Sequence, residues 1–130
     1  MVDAEVPAVA LLTAVLGDDS RLISQVAASG YSGLVLEAFG GGHVPGRVVP
    51  ALEELASRLP VVLASRTGGG EILRHTYAFP GSEQDLLSRG LIPAGFLDGR
   101  KSRILLSLLL ASGRDLAGVR TAFEQVNSSM

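Results

Sequence analysis

Gly33-Leu34-Val35-Leu36-Glu37-Ala38-Phe39-Gly40-Gly41-Gly42-His43-Val44-Pro45 is an apolar run that stops abruptly in three glycines, a histidine and a proline. Leu34, Val35 and Leu36 between turn-forming residues predict a buried strand, and successive glycines let the backbone turn sharply or approach a ligand closely. The pattern recurs at Pro60 to Ser65, which runs into Arg66-Thr67-Gly68-Gly69-Gly70. Val9 to Val15 precedes both; it is apolar without strict alternation, as suits a strand covered on both faces, and it ends at Gly17-Asp18-Asp19. Leu91 to Ala94 supplies a brief fourth strand, placed near a sheet edge by Pro93.

Helical spacing fills the intervals. Leu22, Ile23 and Val26 share a face, with Asp18 and Asp19 as caps and Gly30 as a stop. Val48, Leu52, Leu55 and Leu59 form the next stripe, and Pro50 falls in the first turn, where a missing N–H costs little. Ser82 caps a short helix ending before Gly90, whereas Glu71 to Gly81 has no period and reads as a loop. Asp98 opens the most apolar helix, Ile104 to Leu110, greasy on more sides than one sheet can cover, so another side faces a partner. A last helix begins at Asp115 with Leu116, Val119, Phe123 and Val126 on one stripe. Alternating strands and helices predict an α/β fold: a small open parallel sheet of about four strands with helices on both faces, a Rossmann-like three-layer sandwich with right-handed crossovers. Residues 1–130 then form a single domain.

Composition narrows the function. With 11 basic residues against 13 acidic and Lys101 the only lysine, the chain offers no sequence-independent grip on nucleic acid. No apolar segment approaches the length of a membrane span, and the acidic start reads as intracellular, hence cytoplasmic. The lack of cysteine excludes disulfides and thiolate chemistry.

In an open parallel sheet, ligands bind where loops leave the carboxyl ends of the strands. That edge carries Gly17 to Asp19, Gly40 to Val44 and Ser65 to Gly70. Pro45 stands where a Gly-x-Gly-x-x-Gly motif needs its third glycine, and neither glycine loop has the Gly-Lys-Ser/Thr of a P-loop. His43 and His75 share no metal-ligand spacing with Glu37 or Glu71, so no metal is expected. Ser32 precedes its strand instead of following it, which argues against a serine triad. Arg100, Lys101 and Arg103 oppose the dipole of the helix they open; they answer an acid elsewhere or are solvated.

The order of motifs carries more than any one of them. Residues 33 to 45, then Val-Val-Leu-Ala-Ser-Arg-Thr (61 to 67), Gly-Leu-Ile-Pro-Ala-Gly (90 to 95), Lys-Ser-Arg-Ile-Leu-Leu (101 to 106) and a closing Phe123 helix resemble the C-terminal domain of bacterial L-asparaginases. The resemblance implies hydrolysis of asparagine to aspartate and ammonia by a threonine nucleophile, with no cofactor. It places the catalytic residues in an N-terminal domain that this chain lacks and implies homo-oligomers in which the C-terminal domain lends a loop to a neighbour's site. The lending loop maps onto Gly40 to His43, so Gly41, Gly42 and His43, with Glu71 as the nearest acid after Ser-Arg, are the expected substrate contacts, and asparagine or aspartate the ligand. Gly41 replaces the family's usual asparagine, and 72–79 contains no acid. Catalytic residues are therefore expected nowhere in this chain. The alternative is a stand-alone α/β module binding an amino acid or a phosphate at the glycine edge.

Overall fold

A computed structural model describes residues 7–14, 20–38, 44–65 and 83–129. Four strands, β1 (Val9–Thr13), β2 (Gly33–Ala38), β3 (Val61–Ser65) and β4 (Ile92–Pro93), lie side by side in the order β1-β2-β3-β4. Every pairing is parallel, with Leu12 opposite Leu36, Leu36 opposite Leu63 and Leu63 opposite Pro93. The crossovers contain α1 (Arg21–Ala28), a 3-10 turn (Gly46–Val48) leading into α2 (Val49–Ala56), and α3 (Glu83–Ser88). Two longer helices, α4 (Gly99–Ala111) and α5 (Leu116–Ser128), close the chain. This is the three-layer α/β sandwich expected from the alternating pattern.

Strand alternation divides the core. Leu34, Leu36 and Leu63 point to one face and pack with Ile23, Val26, Leu52, Leu55 and Leu86 from the crossover helices. Val35, Val62 and Ile92 point to the other and meet Leu106, Leu109, Val119 and Phe123 from α4 and α5. A strand order that always steps the same way, with crossovers of one hand, puts all crossover helices on one face and leaves the other to the chain's end. Arg89 fastens the first layer: Nε donates to Asp85 Oδ1 at 2.9 Å and Nη1 to Glu53 Oε1 at 3.0 Å. The Asp85 hydrogen bond, ahead of the opposing desolvation, raises the Arg89 guanidinium above its ordinary value.

Details of the sequence reading shift. Asp18 and Asp19 lie outside the described residues, and the residue at the N-cap of α1 is Ser20, whose side chain makes no cap bond. Leu22 does not join Ile23 and Val26 in the core: it is 67% exposed. β1 is an edge strand, so the part of α1 beyond it has no sheet to cover it, and Leu22 instead lines an open groove of about 480 Å³ with Leu11, Leu12, Gln25 and Tyr31. Leu59 is buried but lies past the end of α2. Leu116 is exposed, while Val119 and Phe123 carry the buried stripe of α5. No described helix is long and apolar enough to cross a membrane.

Candidate functional site at the carboxyl edge of the sheet

The strands end together at Thr13, Ala38 and Ser65. Thr13 and Glu37 are register partners, so their side chains stand next to each other on the α4 face. Thr13 Oγ1 donates to Glu37 Oε1 at 2.6 Å. A polar pair therefore appears where the apolar rows of β1 and β2 stop, and the first turn of α4 settles on it. A Cβ at Gly99 would lie 2.7 Å from Glu37 Cδ and closer still to Oε2, so only glycine lets the helix start this near the carboxylate.

The N-terminus of α4 thus meets two acids. Asp98 caps it, Oδ1 accepting the Lys101 N–H at 2.8 Å, and Glu37 lies against Gly99. Both negative charges sit where the helix dipole is positive, which favours the arrangement. One turn further, the hydroxyl of Ser102 is fully buried without a hydrogen-bond partner among the described residues. Arg103, instead of answering an acid, donates from Nε to the Val9 carbonyl at 3.0 Å and covers part of the open edge of β1.

Gly41, Gly42, His43 and Glu71 lie outside the described residues, as do 15–19, 66–82 and both histidines. The chain leaves described structure after Ala38 and re-enters it at Val44, both buried. The described edge accordingly holds two carboxylates, a hydroxyl and helix N–H groups. Among the described residues no cluster of three or more His, Asp or Glu side chains could hold a metal. The Thr13–Glu37–Gly99 contact escaped sequence reasoning. The signal was a single charge in the apolar run Leu34 to Ala38, but its partners lie 24 residues back and 62 residues on, beyond any local pattern.

Comparison with known proteins gives this edge a context. The family model described as "Glutaminase/Asparaginase C-terminal domain" matches residues 8–123. The "Probable L-asparaginase" of Deinococcus radiodurans is 41% identical over 93 residues, which cover 72% of this chain and 28% of the relative. A glutamyl-tRNA(Gln) amidotransferase chain of Aeropyrum pernix is 30% identical over 118 residues, 90% of this chain and 27% of the relative. Among solved structures, the "Probable Cytoplasmic L-asparaginase" of Campylobacter jejuni superposes with a TM-score of 0.73 at 28% identity, covering 92% of this chain and 35% of that one. The chain spans less than a third of the length of these two curated relatives.

Proposed function

The chain belongs to the glutaminase/asparaginase C-terminal domain family, and on that premise we propose that it serves as the C-terminal domain of an L-asparaginase of the cytoplasm. Its partner is an N-terminal domain carrying the threonine nucleophile that hydrolyses asparagine to aspartate and ammonia. The observation that carries the reading is the family match over residues 8–123, joined by a 41% identical relative bearing the asparaginase name.

Within that reading the carboxyl edge is a lending edge. Gly41, Gly42 and His43, with Glu71, contribute polar contacts to a substrate whose reacting groups the partner domain holds, and association into a homo-oligomer brings the edge to a neighbour's site. Glu37 has a positioning role: tied to Thr13 and set against Gly99, it fixes the end of β2, four residues before Gly41. A loop rooted on a braced strand presents its side chains with less entropy to lose.

The 130-residue chain alone is expected to release no ammonia from asparagine above buffer background. A chimera in which it replaces the C-terminal domain of the Deinococcus radiodurans relative is expected to hydrolyse asparagine, and His43→Ala in the chimera to lower kcat/KM about tenfold, the worth of one net hydrogen bond. Turnover by the isolated chain, or a chimera indifferent to His43→Ala, would remove the lending role.

A further inference from the structure

The side of the sheet carries a second feature, away from the carboxyl ends of the strands. β1 lies at the edge, and the backbone groups of a strand alternate in direction along it. Ala8 O accepts the Ser32 N–H at 2.7 Å and Ala14 N–H donates to Glu37 O at 2.8 Å, so the even-numbered residues of β1 face β2. Val9, Leu11 and Thr13 therefore turn their N–H and C=O groups outward. Arg103 Nε takes the Val9 carbonyl, but among the described residues nothing bonds the backbone N–H or C=O of Leu11 or the N–H of Thr13.

The open groove of about 480 Å³ runs along this row. Leu22 and Tyr31, 67% and 40% exposed, supply an apolar wall on the α1 side. Arg103 stands on the α4 side as the only charged residue lining the groove, and among the described residues no ion pair engages it. Its Nε is held by the Val9 carbonyl, which keeps the guanidinium at the Val9 end of the row and leaves its Nη donors for another acceptor.

These groups specify an occupant. The N–H, C=O and N–H of Leu11 and Thr13 call for an acceptor, a donor and an acceptor at strand spacing, a row that an extended polypeptide backbone repeats and a helix does not. The unpaired guanidinium calls for a carboxylate at the Val9 end. We propose that the open edge of β1 is a docking groove for the C-terminal end of an extended apolar peptide, added as a further strand antiparallel to β1. Its backbone pairs with Leu11 and Thr13, alternate side chains lie against Leu22 and Tyr31, and its terminal carboxylate meets Arg103. The direction follows from the charge: Arg103 sits at the start of β1, so the peptide enters beside Thr13 and ends beside Val9. This groove goes beyond the function proposed above and does not depend on it.

The probe is the peptide acetyl-Lys-Thr-Val-Thr-Val, made with a free C-terminal carboxylate and with a C-terminal amide. Followed by NMR hydrogen exchange on the isotope-labelled chain, with the peptide at up to roughly 1 mM, the range of weak specific complexes, the carboxylate form is expected to slow exchange of the Leu11 and Thr13 amides. The Ala10 and Leu12 amides, already turned to β2, are expected to keep their rates. The amide form is expected to bind about tenfold more weakly, the worth of one charge-assisted hydrogen bond. In Arg103→Gln, at an exposed position, the two forms are expected to bind alike. Failure of the peptide to protect Leu11 and Thr13, or equal affinity of its two forms for the unaltered chain, would overturn the groove. Protection of the same amides by raising the chain's own concentration without peptide would overturn it as well, by giving the edge to a second copy.

Discussion

The two faces of the sheet are held in different ways. The crossover face is covered by three short helices, and neither α1 nor α2 has a side-chain cap bond; they stay in place because Ile23, Val26, Leu52, Leu55 and Leu86 are buried against Leu34, Leu36 and Leu63. The α4–α5 face adds specific close contacts to its apolar packing. Asp98 and Asp115 cap both helices, Gly33 lets Leu106 rest on the backbone of β2, and Gly99 meets Glu37. Asn127 joins the end of α5 to the chain after β4: it donates to the Ala94 and Phe123 carbonyls and accepts from Phe96 N–H. A helix lying between two strands has both ends tethered by the sheet, so burial alone suffices to seat it. No described strand follows the last two helices, and directional contacts set their position.

The contrast can be broken by substitution, read as urea midpoints on the folded chain. The largest effect is expected from the packing both faces share: Phe123→Ala and Leu52→Ala, each at a fully buried position, should cost about 3–5 and 2–5 kcal/mol. Next comes a contact belonging to one face only. Gly95 has φ +66°, and a Cβ there would displace the Asn127 amide, so Gly95→Ala should cost about 2–3 kcal/mol from backbone strain and the freed backbone groups.

Gly99→Ala should follow at about 1–2 kcal/mol, because the flexible Glu37 side chain can swing away at the expense of its Thr13 bond. In the chimera this variant should also lower activity, whereas Leu52→Ala at equal residual stability should not; equal losses would erase the distinction between bracing and packing. Smallest is the comparison of caps. Asp115→Ala should cost about 1 kcal/mol, and Ser20→Ala, at a cap that makes no bond, less than about 0.5 kcal/mol.

Much of this could be read from residues alone. Apolar runs ending in glycine, alternating with stripes at helical spacing, specify a parallel α/β sheet because both are local periodicities. Asp98 and Asp115 signalled their helix starts for the same reason: a cap bonds to an N–H three residues away. Leu22 misled because its spacing is that of a buried stripe while its exposure depends on β1 having no outer neighbour. Arg103 misled similarly. Its charge clashes with its own helix, and its partner is a backbone carbonyl 94 residues away in sequence.

By itself the sequence determined the fold class and the order of strands and helices, which follow from spacing along the chain, and the order of its motifs resembled the family that the comparison shows. Only the tertiary structure decided that Glu37 pairs with Thr13 at the end of β2, that Gly99 is glycine to admit its carboxylate, and that Ile104 and Leu108 look outward together. Each of these depends on which residues the parallel register and the return of the last helices bring side by side, and sequence separation carries no record of that proximity.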